Sequence, residues 1–302
     1  MCIDQTKLFF SKLRSAVSVF TVAGLFCACA LSVTYAQRVD HKESPYVRID
    51  QEEGVRRMAA FRSQRLEGDY CFRFELAHLP RRGDKATYRG TMWGSWNEKG
   101  PVTRFEISPS EVSPKNDSDV VELIIQNGLN PNAWMRRGRS GSFKEIVGPA
   151  LFEPVIQGVV YSPFDLQMPF IYWDGFTYEG PVRVQSRIAQ QFLMSPPEGS
   201  LSVARGIGAV RIGLDDSYDA LLRVEVLDGD GEQLSRFTVE SFKKVQKQYI
   251  VKEVTLKDYA TRDRTRFQVK AASVGLILKP VFFDPLSECE LTLPSDSMFE
   301  EL

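Results

Sequence analysis

The stretch Tyr218–Phe242, which reads YDALLRVEVLDGDGEQLSRFTVESF, decides the fold of this 302-residue chain. Apolar and polar residues alternate on both sides of Asp228-Gly229-Asp230-Gly231, and alternation with a period of two predicts β-strands. Asp-Gly is a preferred hairpin turn, whereas a calcium loop needs ligands spread over about twelve positions. The stretch therefore predicts an antiparallel hairpin.

Similar alternating segments surround this hairpin and are separated from one another by turn residues. Before the strands, apolar residues between Ile49 and Glu67 recur at helical spacing, and Gly68 follows as a stop signal. The predicted fold class is mainly β within the α+β class: a single curved antiparallel sheet, or incomplete β-barrel, with an N-terminal helix. The further predicted strands are 70–76, 86–96, 102–107, 120–126, 133–137, 178–185, 188–194, 209–214, 248–259 and 264–274.

The segment from Leu151 to Trp173 interrupts the strand pattern. It is dense in large apolar side chains, but Pro154, Pro163 and Pro169 prevent a long helix or a central strand. So many apolar side chains require another apolar surface to lie on. We therefore expect short helical turns and loops that cover the open end of the barrel.

The N-terminus has the layout of a signal peptide. Three basic residues precede an uncharged run from Ser15 to Gln37, and Thr34-Tyr35-Ala36 places small residues before a cleavage site. Cleavage after Ala36 and a periplasmic location are predicted. An uncleaved membrane anchor remains an alternative, since a run of this length can cross a bilayer, and Cys29 lies in a poor lipidation motif.

The remaining chain has no repeat or linker that would divide it. We predict a signal peptide at 1–36, a flexible lead-in at 37–48, one domain at 49–290 and a C-terminal tail at 291–302. Of the five cysteines only Cys71 and Cys289 lie beyond the leader. In an oxidising compartment they could form a disulfide, although two thiols remain the alternative.

Catalytic and metal-binding motifs are scarce. The chain has only two histidines, His41 and His78, which argues against histidine-based triads and histidine-rich metal sites. No phosphate-binding loop or dinucleotide fingerprint is present. A net charge of −1 provides no basic surface for nucleic acid. The sequence therefore predicts a binding protein rather than an enzyme, with no cofactor, metal or nucleic-acid partner.

Aromatic and methionine residues are concentrated in two places, and we predict that they form an apolar ligand-binding cavity. Such side chains suit a concave surface that accepts alkyl chains of varied shape. The alternative is that they only fill the core. The candidates on the predicted strand are Met92, Trp93 and Trp96, and those in the proline-rich segment are Phe164, Met168, Phe170 and Trp173.

Four segments of the C-terminal third resemble the outer-membrane lipoprotein-sorting family, which has the LolA/LolB-like fold. They are the predicted hairpin at 218–242, YIVKEVTLKDY at 249–259, TRFQVKAASV at 265–274 and VFFDPL at 281–286. The order of helix, strands, loop-rich insert and strands also resembles this family. The resemblance implies an incomplete antiparallel barrel with an apolar cavity.

Together these features predict a periplasmic carrier that shelters an acyl chain or lipidated peptide in the half-barrel. Its partner would be a lipid or a lipidated protein, with an outer-membrane partner left open. The alternative is a non-catalytic interaction or structural module at the outer membrane whose cavity is filled by its own side chains.

Overall fold

The computed structural model describes residues 46–110, 119–287, 289 and 292–302. The leader predicted at 1–36 and most of the lead-in predicted at 37–48 lie outside the described residues. Tyr46–Leu302 forms one compact unit. Within the described ranges, no helix is both long enough and apolar enough to cross a membrane.

One antiparallel sheet organises the described chain, and it is not closed into a barrel. The strands are β1 (Asp69–Leu79), β2 (Ala86–Asn97), β3 (Gly100–Pro109), β4 (Val121–Gln126), β5 (Asn132–Arg137), β6 (Lys144–Glu145), β7 (Phe176–Val184), β8 (Arg187–Met194), β9 (Ile207–Asp215), β10 (Leu221–Asp228), β11 (Gln233–Val245), β12 (Gln248–Asp258), β13 (Arg264–Leu276) and β14 (Glu300–Glu301). Their order in the sheet is β6-β5-β4-β3-β2-β1-β13-β12-β11-β10-β9-β8-β7, and β14 pairs with β13 off this path. The curved open sheet with a helix, predicted from the alternating pattern, is confirmed.

Helices α1 (Gln51–Ser63), α2 (Pro163–Gln167) and α3 (Leu201–Ala204) accompany the sheet. The Asp50 side chain begins α1 by accepting a hydrogen bond from the Glu53 N–H at 2.8 Å. Met58 of α1 is buried in an apolar cluster with strand residues of β7–β10. The predicted helix is therefore present, although it ends before Gly68.

The hairpin Tyr218–Phe242 forms as predicted, between β10 and β11. The Asp228 carboxylate accepts hydrogen bonds from the Asp230 and Glu232 N–H groups, both at 2.9 Å. Gly231 has φ 84°, a left-handed conformation that glycine adopts without steric cost. The Asp228 side chain therefore stabilises the turn of the hairpin.

The register of the sheet separates two faces, which we call inner and outer. One inner row runs across β1–β5 through apolar pairs that are directly opposite one another. It consists of Phe72, Met92, Phe105, Leu123 and Met135. The alternate residues point to the outer face, where Cys71 is opposite Trp93. The chain after β13 covers part of that outer face, and Phe282 and Phe283 pack there.

The turn end of the β11–β12 hairpin, residues 241–252, extends beyond the pairing with the neighbouring strands β10 and β13, and we call it the arm. Pairing of β11 with β10 ends at Thr238, and pairing of β12 with β13 ends at Glu253. Register shifts on either side of Ser241 mark a bulge at the base of the arm. Because bulges bend strands, the arm can leave the plane of the sheet.

The two edges of the sheet are short or irregular. β6 has two residues. β7 has a register shift between Tyr178 and Gly180, and Pro181 follows within the strand. The Arg48 guanidinium donates to the Glu179 carbonyl oxygen at 3.1 Å.

Candidate functional site

A cavity of about 680 Å³ lies on the inner face of the sheet. Its volume falls within the range of ~300–1,000 Å³ that is usual for small-molecule sites. Apolar strand residues form most of its wall. These are Phe74, Leu76, Met92, Phe105, Ile107, Leu221, Phe237, Val239, Phe242, Val251, Val254 and Phe267.

The bulge at the base of the arm determines which arm residues reach this wall. Val239 is opposite Val254, and Phe242 is opposite Val251. Val239 and Phe242 are three residues apart on β11, and Val251 and Val254 are three residues apart on β12. In a regular strand such spacing would put the two on opposite faces. The bulge removes that alternation, so the arm contributes Phe242 and Val251 to the cavity.

The proline-rich segment forms the other side of the cavity. As predicted, it consists of short turns: a 3-10 helix at Gly148–Phe152, α2, and a 3-10 helix at Pro169–Tyr172. Val155 and Leu166 lie on the cavity wall. The segment contacts both halves of the inner face, because its residues belong to both large apolar clusters.

Hydrogen bonds to main-chain oxygens fix this segment in place. The Asn127 amide donates to the carbonyl oxygens of Leu166 at 2.9 Å and Gln167 at 2.7 Å. The Arg62 guanidinium donates to those of Ile171 at 2.7 Å and Trp173 at 3.2 Å. Burial lowers the pKa of Arg62. These four main-chain oxygens are thereby satisfied while apolar side chains of the segment pack against the sheet.

Met168 joins the two consecutive turns in an unusual conformation. Its φ of 45° is left-handed, which non-glycine residues rarely adopt. Its N–H donates to the Phe164 carbonyl oxygen at 3.0 Å, which closes the first turn. Met168 lies on the cavity wall. A flexible thioether at this position suits contact with ligands of varied shape.

Met92 and Met168 are the two residues of the seven predicted from sequence that line the cavity. Phe164 stacks on Phe152, with ring centroids 4.9 Å apart, and packs against Phe170 at 5.9 Å. Trp173 contacts Phe170 edge to face at 6.3 Å. These three form part of a packed cluster beside the cavity. Ligand contact by them stays a prediction.

The two remaining candidates lie elsewhere on β2. Trp93 is buried on the outer face with Cys71 and Ile124. Trp96 is half-buried near the end of β2, opposite Pro101. Alternation along the strand separates Met92 from Trp93, so the cluster read in the sequence divides between two faces. Ligand contact by these two tryptophans also stays a prediction.

Cys71 and Cys289 lie in the same apolar cluster on the outer face. Both sulfurs are thiols in this structure, and the predicted disulfide stays a prediction. Burial raises the pKa of the Cys71 thiol to about 12. A thiol with such a pKa is a weak nucleophile near neutral pH, because little thiolate is present.

Polar groups gather at one end of the cavity, which we call the rim. The rim residues are Gln64, Arg187, Tyr218 and Tyr249, with Phe242 among them. The Gln64 amide donates to the Tyr218 carbonyl oxygen at 2.8 Å. At the rim, Tyr218 is 69% exposed and Tyr249 is 67% exposed. The cavity therefore opens between α1, the β9–β10 turn and the arm.

Arg187 is the one charged residue among the cavity-lining residues that the structure describes. Its Nη1 donates to Asp215 Oδ2 at 2.9 Å, and its guanidinium lies 5.4 Å from the Phe242 ring centre. The other Asp215 oxygen accepts hydrogen bonds from the N–H groups of Ser217 and Tyr218. Arg187 is thus held in place at the rim by an ion pair and an aromatic face.

A second depression, of about 740 Å³, lies beside β5 and β6. It is slightly larger, but its wall carries Arg136, Arg137, Lys144 and Glu145. A wall with both signs of charge does not favour an apolar ligand. Across the described ranges, no three His, Cys, Asp or Glu side chains converge as a metal site.

Apart from Met92, sequence reasoning did not single out the strand residues that form most of the cavity wall. Phe74, Phe105 and Phe237 alternate with polar residues, which marks them as one face of a sheet. The same alternation is expected of a filled core. The rim residue Arg187 is the first residue of β8, directly after a turn, where polar residues are common. No local signal distinguishes these positions.

Solved structures with the same fold include a DUF1329 family protein from Desulfovibrio piger, with a TM-score of 0.65 at 12% identity over 77% of this chain and 96% of that one. A domain provisionally named for outer membrane lipoprotein sorting, from Vibrio parahaemolyticus, has a TM-score of 0.64 at 15% identity over 77% of this chain and 95% of that one. A LolA superfamily protein from Nitrosomonas europaea has a TM-score of 0.55 at 9% identity over 78% of this chain and 98% of that one.

By sequence, no family model and no curated protein matches the chain. The structural likenesses establish the fold alone, which this chain shares with these three proteins. The resemblance seen in the C-terminal third is therefore confirmed at the level of the fold.

Proposed function

We propose that this protein binds an acyl chain in the inner-face cavity, either free or as part of a lipid or lipidated protein, and carries it in the periplasm. The observation that carries the proposal is a cavity of about 680 Å³ with an apolar wall, left unfilled by the side chains of the protein. Each methylene buried there contributes ~0.8 kcal/mol to binding.

Two further observations support the proposal. The cavity wall combines aromatic rings with Met92 and Met168, side chains that adapt to alkyl chains of different shape. The fold is shared with a LolA superfamily protein and with a domain provisionally named for lipoprotein sorting. The leader predicted at 1–36 would export the chain to the compartment in which such cargo is found.

The proposal involves no catalytic step. The buried histidine, His78, lies 3.4 Å from the Thr265 hydroxyl and outside the cavity lining. The one hydroxyl buried at the cavity wall belongs to Tyr161, and burial raises its pKa, so it stays protonated. These groups supply neither a nucleophile nor a base to a bound acyl chain.

Filling the cavity tests the proposal. Val251→Trp places an indole where the arm meets the cavity, and displacement of two methylenes at ~0.8 kcal/mol each would weaken acyl binding about 15-fold. Lys252→Trp is the matched control, because Lys252 is the neighbouring arm residue and lies outside the lining. Binding is measured by displacement of a fluorescent fatty acid, and bound lipid by native mass spectrometry.

The alternative of a self-filled interaction module makes the opposite prediction. In that case the purified protein carries no lipid, takes up no fluorescent fatty acid, and neither tryptophan variant changes this. Such a result would overturn the proposed function.

A further inference from the structure

The polarity of the cavity changes from one end to the other. At the inner end, Phe74, Phe105, Ile107 and Leu166 form a wall whose one polar group, among the residues that the structure describes, is the buried Tyr161 hydroxyl. At the rim, Gln64, Arg187 and two exposed tyrosines provide polar atoms next to solvent. A ligand that satisfies both ends must be amphipathic, with its chain directed inward and its polar group at the rim.

Within the described ranges, the polar end contains one charged side chain of the lining, which is ion-paired on one side only. Arg187 is the charged residue of the lining, and its side chain is 45% exposed. One of its nitrogens, Nη1, is used by Asp215. In the part of the chain that the structure describes, no hydrogen bond engages Nε or Nη2 of Arg187. These two donors remain available to a second anionic group.

The neighbouring carboxylates do not neutralise this end further. Asp216 and Asp219 both face Arg57 rather than Arg187, at 3.1 Å and 3.5 Å from its Nη1. Asp215 is buried, and both of its oxygens already accept hydrogen bonds. A cationic group at the rim would be repelled by the like charge of Arg187, whereas an anionic group would accept hydrogen bonds from its remaining N–H donors.

We infer that the ligand is an anionic amphiphile, a single alkyl chain that ends in a carboxylate or phosphate and pairs with Arg187 at the rim. The inference rests on the proposed acyl-binding function and specifies its ligand class. Arg187 acts as a specificity determinant because its guanidinium is oriented before the ligand arrives, by Asp215 on one side and Phe242 on the other.

Three ligands with the same chain length test this inference: palmitate, hexadecyl phosphate and hexadecanol. Arg187→Gln should weaken binding of both anions about fivefold, as expected for a half-exposed ion pair, and leave hexadecanol within about twofold. Arg187→Lys keeps the charge and should fall between. Arg183→Gln is the matched control, because Arg183 is an exposed arginine of the same hairpin, bonded to the Gln185 carbonyl oxygen.

A measurement on the unaltered protein guards against a folding defect in Arg187→Gln. Raising the salt concentration should weaken palmitate and hexadecyl phosphate but not hexadecanol, because salt screens the ion pair. The ratio of the two anion affinities shows whether a carboxylate or a phosphate is preferred. Equal effects of Arg187→Gln on all three ligands, or no salt dependence, would overturn the inference while leaving acyl binding intact. If hexadecanol and both anions fail to bind, the proposed function itself is wrong.

Discussion

The two faces of strands β3 and β4 differ although their residues alternate along the same segments of chain. On the inner face, Phe105 and Ile107 of β3 line the cavity, with Leu123 of β4 packed opposite Phe105. On the outer face, Arg104 lies against Glu122 and is almost wholly buried. The comparison shows that one sheet can leave open volume for a ligand on one surface while directional contacts fix the opposite surface.

The fixed contacts of the outer face form a connected network. Glu122 accepts hydrogen bonds from Arg104 at 2.6 Å and from Arg136 at 2.7 Å. Arg104 also donates to the Phe282 carbonyl oxygen at 2.9 Å, and both arginines lie over the Phe143 ring. A buried ion pair adds little net stability over an apolar substitute. Removing only one of its partners is strongly destabilising, because the other charge is left buried and unpaired.

The largest expected effect concerns the Cys71–Cys289 disulfide, which would fix the outer face covalently. Its loop of about 220 residues would contribute about 5 kcal/mol to the free energy of unfolding in the chain-entropy account. Peptide mapping of oxidised protein without reductant should find the linked peptides, and reduction should lower stability. Cys71→Ala, which cannot form the bond, is the control. Two alkylated thiols in the oxidised protein would show that packing alone fixes this face.

A somewhat smaller effect is expected of Glu122→Gln. It leaves Arg104 and Arg136 without their carboxylate in a buried setting and should cost about 4 kcal/mol of unfolding free energy. Glu106→Gln is the matched control: Glu106 is directly opposite Glu122 and pairs with Arg139, which is 58% exposed. The control should cost less than about 1 kcal/mol. Denaturation in urea measures both.

The contrast between the faces also requires that acyl affinity stay within about twofold in Glu122→Gln, measured below the unfolding transition. A loss of affinity as large as that of the cavity variant would mean that the two faces are coupled, and the comparison would fail.

The third prediction distinguishes two parts of the inner face, the packed cluster beside the cavity and the cavity wall. Trp173 is 8% exposed and packs in the cluster beside the cavity rather than on its wall. Trp173→Ala should therefore cost about 3 kcal/mol of stability, as buried aromatic truncations do. Fatty-acid affinity of the folded protein should be unchanged. If instead affinity falls strongly and the melting temperature hardly moves, the proline-rich segment acts as a movable cover over the ligand.

The hairpin at Asp228, the helix at Gln51 and the turns at Pro163 could be predicted because each depends on residues close in sequence. An apolar cavity was also predicted, but most of the residues that line it could not be, because wall and core residues share the same alternation and differ only in what lies opposite. Phe105 faces the cavity and Tyr178 faces the Phe192 ring, yet both alternate with polar neighbours. Trp93 and Met92 were grouped by proximity and then separated by the pleat.

The bulge at Ser241 likewise has no local signature, since Glu240 and Lys252 are ordinary surface residues of a strand. Without it, Val251 would alternate away from the wall. The rim arginine depends on Asp215 and Phe242, which lie 28 and 55 positions along the chain. These contacts between distant residues depend on the order of the strands in the sheet, which no local sequence pattern indicates.

The edges of the sheet bear on how the protein behaves at high concentration. An open sheet exposes main-chain donors and acceptors that could recruit a strand from a second molecule and seed aggregation. Here β6 is too short to template a partner, and β7 lacks an N–H at Pro181 and shifts register at Gly180. Arg48 already occupies the Glu179 carbonyl oxygen. A protein that keeps an apolar cavity open can thereby stay resistant to edge-to-edge polymerisation.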